Sequence, residues 1–328
     1  MSRWGPVRVR SSCRAAVLGM CFLFGVTACG SGTHAPAPSV PASLPRKAVV
    51  VERRGYLVAF PLDGSKSHRL TKLPGQAAAV SPNGSMVAFA SAKEIGFSHG
   101  ISTMRIDGSR IRAVTHGNDG VPSWSADGQS LYFARTMAGT YCGSIFSVAV
   151  SGSGLHRITD PSKTRHDHED PAVSPDGTRI AFSDWDGCGG GTSSPRLDVV
   201  DIDGQPTGDL EKLARNGYYP NPEHSTPAWS PDGTQIAFRH NSDLAVANRD
   251  GSDERILIRG GGNLLYEAPA WSPDGAWIAF ARGAASGVIV EVVHPDGSDR
   301  RVIARVKDVD WPLAGWVRAR NKVQRRSS

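Results

Sequence analysis

Five six-residue segments of this chain align without gaps, and such a repeat constrains the fold more than anything in the composition. They are Ala79-Val80-Ser81-Pro82-Asn83-Gly84, Ser123-Trp124-Ser125-Ala126-Asp127-Gly128, Ala172-Val173-Ser174-Pro175-Asp176-Gly177, Ala228-Trp229-Ser230-Pro231-Asp232-Gly233 and Ala270-Trp271-Ser272-Pro273-Asp274-Gly275. Each precedes a short apolar run ending in an aromatic, such as Val87-Ala88-Phe89 or Ile278-Ala279-Phe280. A degenerate sixth copy reads Val309-Asp310-Trp311-Pro312, followed by Gly315-Trp316-Val317, with Trp311 as its anchor. Six further turns, from Asp63-Gly64 to Asp296-Gly297, alternate with these anchors.

The chemistry of the turns reads as hairpins. Proline sets φ at the entry, Asp bonds nearby backbone, and Gly supplies the positive φ that closes a tight turn. Trp or Val at the anchor and the later Phe alternate with small residues, as sheets packed face to face require. Each repeat is therefore four short strands. Residues from Val49 to Leu73 supply outer strands without an anchor, and Val309 to Val317 supply an anchor without outer strands. The expectation is an all-β, six-bladed β-propeller over residues 47–318, with one blade closed jointly by the N- and C-terminal strands.

The Trp-Ser-Pro-Asp-Gly…Ile-Ala-Phe repeat resembles the propellers of TolB-like proteins, of prolyl-oligopeptidase-type enzymes and of oligogalacturonate lyases. The resemblance runs over almost all of the chain after residue 46. TolB carries an α/β domain before its propeller where this chain has a low-complexity stretch, so a Tol–Pal role is not carried over. The peptidases add a hydrolase domain of roughly 200 or more residues bearing a Gly-x-Ser-x-Gly elbow, and no such domain is expected here. Peptidase activity is not expected.

The N-terminal segment reads as a targeting signal. Arg3, Arg8, Arg10 and Arg14 precede the apolar run Ala15 to Val26, which is too short for a permanent membrane span. Val26-Thr27-Ala28-Cys29 resembles the lipobox of bacterial lipoproteins. That resemblance implies cleavage after residue 28 and acylation of Cys29, hence an anchor on the extracytoplasmic face of a cell membrane. Residues 29–46, rich in Gly, Ser, Ala and Pro, form a flexible tether. Residues 319–328 are a basic polar tail. The sequence pI near 9.2 does not denote nucleic-acid binding. Removing four signal arginines from 37 basic residues leaves 33 against 31 acidic ones. Five of the 33 (Arg318, Arg320, Lys322, Arg325 and Arg326) lie at the C-terminus, where they touch anionic headgroups or stay solvated. No cofactor is expected, and the chain is expected to act as a monomer.

Strand direction puts the Ser-Pro-Asp-Gly and Asp-Gly turns on one face. The opposite face carries longer, irregular loops, where binding residues usually reside. Asp119, His166, His168, Glu169, Tyr219, His224, Tyr266 and Glu267 lie just ahead of inner strands there. They are expected to ring the channel mouth as exposed ligand-binding residues, so that alanine at His168 or His224 would weaken capture and leave thermal stability nearly unchanged. His166 and His168, two apart in extended chain, point the same way, and His224 completes a candidate metal set. The alternative for these histidines is a solvated, hydrogen-bonding rim. Cys142 and Cys188, in corresponding loops of consecutive blades, are expected to form a disulfide, the alternative being two free thiols. Two functions follow. The leading one is a binding or scaffold propeller for a protein, peptide or cell-wall glycan on the long-loop face. Its rival is a metal-dependent, lyase-like enzyme built on the channel-mouth histidines.

Overall fold

A computed structural model describes residues 47–317, apart from 74, 93–97, 138–141, 162–165, 189–194, 208–225, 261–268, 285 and 308. Cys29, Tyr219, His224, Tyr266 and Glu267 lie outside the described residues. Every described element is a strand, and the strands form six antiparallel sheets.

Blade 1 starts with the inner strand Gly75–Val80, blade 2 with Ser123–Trp124, blade 3 with His166–Val173, blade 4 with Ala228–Trp229 and blade 5 with Ala270–Trp271. Blade 6 joins the two ends of the chain. Its inner strand Val309–Val317 pairs with Ala48–Arg53, which continues into Tyr56–Pro61 and His68–Lys72. The ring closes as the repeat order requires. Blade 3 has three described strands, and Val200 makes an isolated bridge to Pro206.

The Ser-x-Asp-Gly turns form as their chemistry dictates. In blade 4, Ser230 Oγ donates to Asp232 Oδ1 at 2.6 Å, and Thr234 N–H donates to the same oxygen at 3.0 Å. Asn83 takes this role in blade 1. The five turn glycines sit at φ 69° to 72°, a left-handed conformation that costs other residues strain.

Six apolar clusters each fill the space between two neighbouring blades. The repeat phenylalanines Phe89, Phe133, Phe182, Phe238 and Phe280 are at most 2% exposed within them. At the axis, each anchor tryptophan donates its indole N–H to the inner-strand carbonyl of the preceding blade. Trp124 reaches Ala79 O at 2.9 Å, Trp229 reaches Ala172 O at 3.0 Å, and Trp271 reaches Ala228 O at 3.0 Å.

The sixth anchor corrects the sequence reading. Trp316 donates to Ala270 O at 2.9 Å and holds the anchor position assigned to Trp311. Trp316 pairs with Val49 as Trp271 pairs with Ile278, so Val49-Val50-Val51 stands where other blades have Ile-Ala-Phe. The slip of five residues arose because Pro312 imitates the turn proline, whereas Gly315-Trp316 holds the Ala-Trp position.

Val80 and Val173 have no side-chain N–H to donate, so two junctions lack this bond. At the 6/1 junction, buried Glu52 accepts the Ala78 N–H instead. At the 2/3 junction, Asp167 accepts the Gly143 N–H, and Cys142 and Cys188 form a disulfide with Cα atoms 4.8 Å apart.

Candidate functional site

The inner strands enclose a central channel of about 590 Å³. Its wall follows directly from the repeat. Each inner strand places Ala, Ser or Gly beside its anchor, and short residues leave the axis open. Prolines stand on either side of the anchors: Pro122, Pro171, Pro227 and Pro269 before them, and Pro82, Pro175, Pro231 and Pro273 after them. A strand end that needs no further ladder partner tolerates a residue without an N–H. Among the lining residues only Asp170 is charged. The channel is a small-residue tube edged by indole rings.

Of the polar residues named from sequence, the described ones, Asp119, His166, His168 and Glu169, are not among those lining the channel. Asp119 was expected at the mouth as an exposed ligand, and the structure corrects this. It is 1% exposed, Arg135 Nε donates to its Oδ1 at 2.5 Å and Nη2 to its Oδ2 at 2.9 Å, and Thr115 Oγ1 also donates to it. Asp119 is a strut between blades 1 and 2.

His168 is corrected in the same way. It is 8% exposed and tilted over Phe182 at 4.9 Å. Its Nδ1 lies 2.8 Å from Thr159 Oγ1, an oxygen that already accepts the Ile145 N–H. Assigning the Thr159 proton to Nδ1 leaves Nε2–H facing Asp184 Oδ1 at 3.6 Å. Burial pushes this imidazole down to about 4, against the opposing pull of Asp184. His168 is therefore neutral near pH 7, and it belongs to the packed interior rather than to an exposed rim.

His166 and His168 do point the same way, onto one carboxylate. His166 Nδ1 lies 3.0 Å from Asp184 Oδ1, and Nε2 lies 3.4 Å from the exposed Asp186. Arg196 Nε donates to Asp184 Oδ2 at 3.2 Å, and its Nη2 lies 2.9 Å from His166 Nδ1. A guanidinium within this pair opposes a second cation there by direct repulsion. Among the described residues, no three His, Cys, Asp or Glu side chains group as metal ligands. Glu169 lies half-buried on the same strand, opposite Ser183. Cys188, whose Sγ is 3.8 Å from His166 O, is held in the disulfide and offers no thiolate.

These clusters follow a rule that the sequence reading missed. In four of the five repeats the residue two past the phenylalanine is Arg135, Asp184, His240 or Arg282, with Ser91 in the first, and each of the four meets an oppositely charged or titratable partner. The partners are Asp119, the His166/His168 pair, Glu254 and Glu291. Asp119–Arg135 and His168–Asp184 are the same contact with the acid moved to the other strand. The signal was a charged residue recurring at the end of an otherwise apolar strand.

Comparison with known proteins agrees with this architecture. A family profile described as the dipeptidyl peptidase IV N-terminal region matches residues 196–323. TolB from Acinetobacter baumannii superposes with a TM-score of 0.63 at 21% identity, over 83% of this chain and 66% of that one. A putative TolB from Agrobacterium tumefaciens gives 0.60 at 18% identity, over 83% and 94%. A chain of a nidogen/laminin complex gives 0.61 at 11% identity, over 83% and 98%. The chain spans just under two thirds of the Acinetobacter protein. The fold is a six-bladed β-propeller closed by both chain ends. Within that class its propeller is similar to those of the two TolB structures.

Proposed function

We propose that this propeller is a binding module, tethered by an acylated Cys29 to the extracytoplasmic face of a cell membrane, whose channel accepts an extended segment of a partner protein. The channel wall carries this reading. Proline, alanine and tryptophan edges offer apolar contact and few directed hydrogen bonds, which suits a peptide better than a hydroxyl-rich glycan. Asp119, Asp184 and Glu291 are buried and held by arginines, so they brace blades rather than wait for substrate. A rigid, closed ring loses little freedom when it binds, so that more of the contact energy remains as affinity.

Cys29→Ser tests the reading. The variant is expected to move from the membrane fraction to the soluble fraction with an unchanged melting temperature, since residues 29–46 separate anchor from core. It should still capture the partner that the anchored protein captures from solubilised envelope. Unchanged membrane partition would refute the anchor. Loss of capture at full stability would move recognition from the channel to the lipid or the tether.

A further inference from the structure

The one charged residue of the channel wall stands where its strand departs from the ladder. Asp170 belongs to the inner strand of blade 3, whose register against the next strand shifts between Glu169 and Ala172. The shift is a bulge, a device that re-aims side chains, and Asp170 takes φ 49° within it. Blade 1 has the same bulge between Gln76 and Ala79, with Ala77 at φ 54°. Alanine satisfies the backbone there, so the bulge does not call for a carboxylate. Ala77 is buried and stays out of the channel wall, whereas Asp170 is half-buried and lines it.

The charges that face an entering segment are mostly of the same sign. Asp127, Asp176, Asp232 and Asp274 stand exposed on the inner turns of the short-turn mouth. Hydrogen bonds from Ser125, Ser174 and Ser230 hold the first three below the usual carboxylate range, so they stay ionised well into acid. Lys47 pairs with Asp274, and Arg249 lies 3.9 Å from Asp176, so two cations meet four carboxylates at that rim. Among the described residues no lysine, arginine or histidine lines the channel. Walls of low polarity screen charge poorly, so the rim and Asp170 together favour a cation and repel an anion.

We infer that the segment accepted by this channel is basic, and that one of its lysine or arginine side chains seats on Asp170. This assignment rests on the reading proposed above, whose partner it makes cationic. Pro175 marks the short-turn mouth in blade 3, and the strand between it and Asp170 covers about 16 Å. A segment threading from that mouth therefore lays about five residues against the alanine, proline and tryptophan wall before its cation reaches the carboxylate. Ser183 Oγ donates to Asp170 Oδ2 at 3.4 Å. A carboxylate accepts about four hydrogen bonds, so an ammonium or guanidinium adds to the contacts already made.

The test selects peptides from a phage-displayed library of random dodecamers on the full chain carrying Cys29→Ser, with benzoylphenylalanine in place of Ala126. Clones that crosslink on irradiation are channel binders, and each is remade as a synthetic peptide with an acetylated N-terminus. Channel binders are expected to carry Lys or Arg. Asp170→Asn should weaken them about 10- to 100-fold, the range for a hydrogen bond to a charged group. Replacing the peptide's Lys or Arg by Ala should cost as much against Asp170 and little against the Asn variant. Asparagine tolerates this left-handed backbone, and Ala77 is the precedent for Asp170→Ala, which should behave alike. Channel binders without a cation, equal affinity for Asp170 and its variants, or a peptide cation whose removal costs the same against both would each overturn the inference and leave peptide binding in the channel intact. So would binding lost on acetylation, which would put the cation at a chain terminus. A library that yields no channel binder of any charge would refute the channel reading itself, and this inference with it.

Discussion

Replacing Cys142 and Cys188 together by serine is expected to lower the stability of the propeller by about 4 kcal/mol, the loop-closure value for a bridge across 46 residues. For a domain of this size that is a fall in melting temperature of about 10 °C. The position of the bridge explains why the effect should be seen in full. It joins blades 2 and 3, where Val173 leaves the junction without the indole-to-carbonyl bond that Trp124, Trp229, Trp271 and Trp316 provide elsewhere. Thermal unfolding with and without reductant checks it. Reductant should lower the wild type to the level of the double variant and leave that variant unmoved. A double variant as stable as the oxidised wild type would show that the junction needs no staple.

The second large effect is a loss of stability in acid that belongs to one residue. His168 titrates at about 4 in the folded chain, against an ordinary value of 6.5. Its depressed value means that the unfolded chain takes up the proton first. The stability it contributes is complete above pH 6.5 and is lost as pH falls from 6.5 towards 4. The full loss is about 3 kcal/mol at 1.36 kcal/mol per pH unit. His168→Gln removes the titration while leaving an amide to face Thr159. Denaturant midpoints between pH 7 and 4 should fall steeply for the wild type and stay nearly level for the variant, whatever the variant's absolute stability. Equal slopes would place the acid sensitivity elsewhere.

The fold was legible because its signal is written five times in short turns whose chemistry is local. Asp232 and Gly233 close the same hairpin wherever that sequence stands, so no tertiary knowledge was needed to place them. The sixth anchor was misread for the converse reason. Trp311 and Trp316 share one strand, and only the indole bond to Ala270, a contact between blades, tells them apart. The candidate site was less legible. Polar residues ahead of inner strands were read as a rim open to solvent, but burial is decided by the neighbouring blade. Asp119 and His168 are covered because Arg135 and Thr159, distant in sequence or on another strand, come to meet them. The channel itself leaves almost no polar mark in the sequence. It is built from alanine, glycine and proline, which look like packing and turn residues until six strands are arranged around an axis.

The central claim is that a partner protein enters this channel, and crosslinking in intact cells tests it most directly. Benzoylphenylalanine in place of Ala126, an exposed residue that lines the short-turn mouth, should trap a discrete protein on the anchored propeller. The same group in place of Val302, 47% exposed on an outer strand of blade 5, should trap none. A partner trapped from Val302 and never from Ala126 would contradict the channel as the binding site.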